Sequence, residues 1–126
     1  IGIAVDSIED RLPMWESLGL KLDHTEEVES EGVTTAHLKV GGYEIELLEP
    51  MGKDTPVGKF IDKKGPGIHH LALEVDDIEE SLAQAKKNGL EPIGEAPRPG
   101  ADKCCVLKQL ITEAAREKMN RLSIRW

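Results

Sequence analysis

The sequence predicts an α+β fold in which two β-α-β-β-β-type modules surround a shared cup, the second module ending in an atypical helical tail. Three observations carry this. A chain of 126 residues suffices for one domain with a real core and is short for two. An internal repeat relates the start of the chain to its second half. Apolar residues recur with a period of two in some segments and with helical spacing in others.

The repeat runs without a gap when the chain is slid by 70 positions. Val5 then meets Val75, Asp6 meets Asp76, Ile8 meets Ile78 and Glu9 meets Glu79. Leu12 meets Leu82, Gly19 meets Gly89 and Leu20 meets Leu90. Residues 1–5 and 70–75 read as strands. Asp6 and Asp76 read as helix N-caps, each with a glutamate three residues on, as in a capping box. Gly19 and Gly89 stand where a helix stops in the left-handed conformation.

Past Gly19, strands are expected near 20–28, 33–40 and 43–48, with turn signals at "ESEG" and "VGGY". The first copy is therefore β-α-β-β-β. A short helix capped by Thr55, with Pro56 at its first position, links the copies. The second copy departs after Pro99. In "VLKQLITEAAREKMNRL", Leu107, Leu110, Ile111, Ala114, Met119 and Leu122 recur at helical spacing, and Glu117 precedes Arg121 by one turn. An amphipathic helix is expected there, where symmetry would place strands.

The chain is 32% charged with a formal net charge of -8, which argues against nucleic acid or an anionic membrane as the main partner. No apolar run approaches the roughly 20 residues of a membrane helix, and no secretory signal is read in the first stretch. The only cysteines, Cys104 and Cys105, are adjacent. An unstrained disulfide wants its Cα atoms about 5.5 Å apart, so two reduced, inert thiols in the cytoplasm are expected.

Two places could carry chemistry. His70 opens a strand whose alternation puts Ala72 and Glu74 on its own face and turns His69 the opposite way. In "YEIELLEP", Glu44, Glu46 and Leu48 share one face, and a carboxylate among apolar neighbours is costly to bury unpaired. A divalent metal held by imidazole and carboxylate would explain both. The same pattern also fits an ordinary polar strand start and a solvent-facing glutamate. His24, in a charged strand, and His37, alternating with Thr35 and Lys39, read as surface residues. "EVESEGV" reads as a solvated turn, Lys63 and Lys64 as a solvated helix end, and Trp15 as core.

The segments "IGIAVDSIED", "GLKLDHTEEVESEGV", "YEIELLEP", "KDTPVGKFIDKKGPGIHHLALEVDDIEESL" and "GEAPRPGA" resemble the methylmalonyl-CoA epimerase branch of the vicinal oxygen chelate superfamily, which also contains glyoxalase I. The resemblance implies one domain over 1–126: module one at 1–50, a connecting helix at 51–66, module two at 67–107 and a tail at 108–126. It implies a cup around one divalent ion, Co2+ foremost, with Zn2+, Mn2+ or Ni2+ as substitutes. His70 and Glu46 fall on two ligand positions. The first module's histidine would immediately precede Ile1, and no segment here matches the one that carries the closing glutamate. Arg116, the offset partner of Glu46, cannot ligate.

The implied activity interconverts the (R) and (S) forms of methylmalonyl-CoA by metal-assisted proton abstraction through an enolate. A third-strand glutamate that serves as base in such enzymes is replaced here by Thr35, so the acid/base groups are not assigned. An acyl-CoA substrate and a homodimer are the implied partners, with no nucleic acid and no membrane. A glyoxalase-like lyase acting on a glutathione adduct, and a metal-free small-molecule-binding member of the superfamily, are the two alternatives.

Overall fold

A computed structural model describes residues 1–89 and the strands 91–99 and 105–110. The chain's internal contacts gather into two units, residues 1–73 and residues 74–126.

The first unit begins with β1 (Gly2–Ala4) and α1 (Ile8–Ser17). β2 (Lys21–Val28) follows, then a single 3-10 turn at Glu29–Glu31, β3 (Val33–Val40) and β4 (Tyr43–Pro50). α2 (Pro56–Lys64) and β5 (Gly67–His70) complete it. The five strands form one sheet in the order β2-β3-β4-β1-β5. β2, β3 and β4 are an antiparallel meander, the last pair joined by the two-residue connection Gly41-Gly42. β1 lies parallel to β4 and antiparallel to β5.

Alternation along these strands divides the sheet into two different faces. On one, Val5, Ala36, Leu38 and Leu47 pack with Ile8, and Ile3, Leu12, Trp15, Leu20 and Ile45 close around them. Trp15 is thus core packing, as its sequence context indicates. Leu38 and Leu47 are fully buried, and burying such a side chain contributes about 1.5–3 kcal/mol. On the opposite face, Ala4, Val33 and Leu48 pack with Val57 of α2, joined by Val28, Phe60 and Ile61. That apolar cover reaches only one end of the face. The other end carries polar residues, and the candidate site is there.

Helix starts differ from expectation by one residue. Ser7, not Asp6, is the N-cap of α1, its hydroxyl accepting from the Asp10 backbone N–H. Asp77, not Asp76, caps α3 (Ile78–Lys87) through Glu80 N–H. Both serines and aspartates suit an N-cap, so Asp-Ser and Asp-Asp give no local signal for choosing between neighbours. α2 starts as read, with the Thr55 hydroxyl accepting from Gly58 N–H.

The strand read at 70–75 is also displaced. β5 ends at His70, and residues 71–75 have no regular structure. Leu71, Leu73 and Val75 are exposed, so the alternation that suggested a strand there reports no buried face.

In the second unit, α3 leads to β6 (Glu91–Pro99) and β7 (Cys105–Leu110), which pair antiparallel. The helix expected from Val106 onward is therefore corrected over residues 106–110, which are strand. Leu107 and Leu110 fit helical spacing, but a β-ladder overrides so short a periodic signal. The rest of that expected helix, residues 111–126 with Arg116, lies outside the described residues, as does Cys104. The repeat extends further than sequence identity shows. α1 and α3 occupy positions matched at the repeat offset, Gly19 and Gly89 have φ of 89° and 79°, and β2 and β6 start at matched positions.

Candidate functional site

Five residues stand in register across the whole sheet of the first unit. His24 on β2 pairs with His37 on β3, His37 with Glu46 on β4, Glu46 with Gly2 on β1, and Gly2 with His70 on β5. Residues directly opposite one another project from the same face, so the row lies on the polar end of the face that α2 leaves uncovered. Glu26 and Thr35 form the neighbouring pair on that face.

His70 and Glu46, the two residues singled out from the sequence, are brought together. His70 Nε2 lies 3.8 Å from Glu46 Oε2, with side chains 41% and 22% exposed. His69 does not point away as strict alternation would have it. The register of β5 against β1 shifts beside this point, and His69 Nδ1 comes within 3.0 Å of His70 Nδ1. The His69 ring also meets Phe60 edge-on at 4.9 Å between centroids. One of two facing Nδ1 atoms must donate and the other accept. When His70 donates, its Nε2 presents a lone pair on the side of Glu46.

The reading of His24 and His37 as surface residues is corrected. His37 is fully buried and His24 is half-buried. His37 Nδ1 donates to Glu44 Oε1 at 2.7 Å, because a carboxylate only accepts. Its Nε2 meets Thr35 Oγ1 at 2.9 Å, and the one hydroxyl hydrogen of Thr35, 2% exposed, is shared between that nitrogen and the Glu26 carbonyl at 3.3 Å. The ring of His24 stacks on that of His37 at 4.3 Å with the planes 8° apart. His24 Nδ1 is held by Asp23 Oδ2 at 2.9 Å, and Lys39 Nζ reaches the same oxygen at 2.9 Å. Lys39 first, and His24 second, hold the Asp23 carboxyl below its ordinary value.

Among the described residues, two groups of side chains bring three metal-ligating atoms within 4.8 Å of one another: His24, Glu26 and His37, and then His37, Glu44 and Glu46. In the first group the two imidazoles are parallel. Their lone pairs lie in planes that do not meet, so the rings cannot both address one ion as they stand. The second group contains Glu46 and adjoins His70.

His37 and Glu44 are what the sequence reading missed at this site. The available signal was the polar alternation shared by β2, β3 and β4 on one face, which becomes a cluster only once the register is fixed.

A sequence profile of the Glyoxalase/Bleomycin resistance protein/Dioxygenase superfamily matches residues 1–107. The chain belongs to this superfamily. As a member it is 40% identical over 103 residues to the uncharacterized protein YqjC of Bacillus subtilis, covering 81% of this chain and 74% of that one. It is 30% identical over 103 residues to the mitochondrial methylmalonyl-CoA epimerase of Homo sapiens, covering 80% of this chain. The match spans only 58% of the human protein's length. Among solved structures, a hypothetical protein from Bacillus halodurans superimposes with a TM-score of 0.87 at 46% identity, covering 90% of this chain and 83% of that one. The methylmalonyl-CoA epimerase of Mycobacterium tuberculosis superimposes with a TM-score of 0.82 at 29% identity, covering 90% and 77%. The superfamily fold expected from the sequence is the one observed. Among the described residues, no helix is long and apolar enough to cross a membrane.

Proposed function

We propose that this superfamily member is a methylmalonyl-CoA epimerase, interconverting the (R) and (S) thioesters, and that His70 and Glu46 hold its divalent metal. The observation that carries the reading is the 3.8 Å approach of His70 Nε2 to Glu46 Oε2, in a chain similar to proteins named for this reaction.

The donor set suits such an ion. Imidazole and carboxylate bind divalent first-row metals at about 2.0–2.2 Å, so two donors sharing one ion sit roughly 3–4 Å apart. The contact from His69 to His70 Nδ1 matches the way a ligating histidine is commonly oriented through its second nitrogen. Co2+ is the proposed ion, with Zn2+, Mn2+ or Ni2+ as substitutes. A bound ion supplies Lewis acidity toward the substrate's carboxylate and thioester oxygens.

The reacting carbon lies between that carboxylate and the thioester. A proton leaves one face, the bonding pair passes into a planar enolate, and a proton returns on the opposite face. Glu46 on β4 and His70 on β5, the strands that flank β1, would hold the ion that sets where the substrate's oxygens sit. Thr35, at the position implied for a base, offers a hydroxyl already bound to His37 Nε2 and the Glu26 carbonyl. It does not serve as that base. An acyl-CoA substrate, a homodimeric state and a cytoplasmic location belong to the same proposal.

The test combines metal analysis with exchange of the substrate's C2 proton in D2O. The parent protein is expected to hold close to one divalent ion per chain and to exchange the C2 proton of methylmalonyl-CoA. His70→Ala is expected to lose most of the ion, and Glu46→Gln to lose less, since an amide oxygen can still ligate. A protein that binds no ion and exchanges no proton would overturn the reading and favour a metal-free binding role. Turnover of a glutathione hemithioacetal in place of the thioester would favour the lyase.

A further inference from the structure

Gly2 separates the two proposed ligands. It lies on β1, paired with Glu46 on β4 on one side and with His70 on β5 on the other. Neighbouring strands run about 4.7–4.9 Å apart, so the backbones of Glu46 and His70 are two such spacings from each other. Their side chains nevertheless approach to 3.8 Å. They do so by crossing over β1, on the face where any residue at position 2 would project its side chain.

No backbone requirement accounts for a glycine there. Among the described residues the glycines with positive φ are Gly19, Gly32, Gly41, Gly65 and Gly89, and Gly2 is not one of them. An alanine could adopt its extended conformation and would cost less entropy in a strand. Space is what sets it apart. A Cβ built at Gly2 would overlap the His70 ring, meeting Cε1, Nδ1 and Nε2. Cε1 is the nearest and the two nitrogens bonded to it come next, so this part of the imidazole fills the space that a side chain at position 2 would need.

We propose that Gly2 is a positioning residue whose missing side chain seats the His70 imidazole and lets it reach across β1 to Glu46. The consequence for metal binding rests on the proposed function. The seat itself does not.

The experiment is a double-mutant cycle with Gly2→Ala and His70→Ala, read by Co2+ titration and by the urea midpoint. Gly2→Ala alone is expected to weaken Co2+ binding by about tenfold or more, the range found when ligand orientation is disturbed, and to lower the urea midpoint. In the His70→Ala background there is no ring to displace, so Gly2→Ala should leave the midpoint unchanged or raise it. Folding of the double variant where Gly2→Ala alone fails to fold would support the seat equally. An equal fall in midpoint in both backgrounds would overturn the seat, and unchanged Co2+ affinity in Gly2→Ala would overturn its consequence for metal binding. Should the parent bind no Co2+, the metal reading fails, while the midpoint cycle still decides on the seat: non-additive effects support it and additive effects overturn it.

Discussion

The imidazole of His37 lies parallel to that of His24, 4.3 Å away, with the first residue fully buried and the second half-buried. The buried ring is anchored at both nitrogens, by Glu44 and by Thr35. Replacing it with phenylalanine keeps a flat ring for the stack and removes both hydrogen bonds. A buried group left without its partner costs about 1–3 kcal/mol. His37→Phe is therefore expected to lose stability by about that amount in urea unfolding. A variant as stable as the parent would show that these hydrogen bonds contribute little.

A second anchor comes from far along the chain. The Ile8 backbone N–H, at the first turn of α1, donates to Glu49 Oε2 at 2.6 Å. Helix N-termini have backbone donors without helical partners and favour negative charge. Glu49→Ala is expected to lower stability by about 0.5–2 kcal/mol, in the range of a lost cap, and Glu49→Gln by less. Thermal unfolding of the three proteins measures the order. An unchanged midpoint in Glu49→Ala would contradict it.

His69 meets the proposed ligand His70 through its Nδ1. His69→Phe retains an aromatic edge against Phe60 and takes away the nitrogen facing His70 Nδ1. Affinity for Co2+ is expected to fall by about 10–100-fold with little change in unfolding. Isothermal titration calorimetry reads the first quantity. Parent-like affinity would mean that His70 is oriented by its seat on Gly2 alone.

Asp23 gives a pH dependence with a definite sign. Lys39 first, and His24 second, hold its pKa below the ordinary 3.8. A depressed carboxyl adds stability at pH values above the unfolded-chain value. That stability is lost as the pH falls through the lower folded value. Asp23→Asn should thus unfold at lower urea than the parent at pH 7, and the gap should close once the folded carboxyl is protonated. The side chain is exposed, so the gap is small. A gap that widened in acid would reverse the assignment.

Much of the fold is legible in the residues themselves. The meander β2-β3-β4 follows alternation and turn chemistry, α2 follows Thr55 and Pro56, and the repeat locates α3 from α1. Legibility fails where one local signal serves two outcomes. Asp6 and Ser7 are both good caps, and the apolar spacing around Leu107 and Leu110 suits a helix until β6 offers a ladder. At the site, His70 and Glu46, the two residues chosen from the sequence, lie 3.8 Å apart. His37 was misread because its neighbours in sequence, Thr35 and Lys39, are polar. What buries it is Glu44 and His24, on two other strands. Burial of that kind is a property of register and has no signature within a single strand.

The position of β1 bears on the order in which the first unit assembles. It precedes the meander in the chain, yet it pairs with β4 and β5, whose residues lie more than 40 positions further on. The meander needs only short loops, and short loops close first. During synthesis β1 therefore waits for these partners until residues beyond 43 have been made. The seat for the His70 ring then forms only when the hairpin-built part of the sheet accepts this strand. Pulse-labelled hydrogen exchange should find amides of β3 and β4 protected before those of β1, and the reverse order would refute this sequence of events.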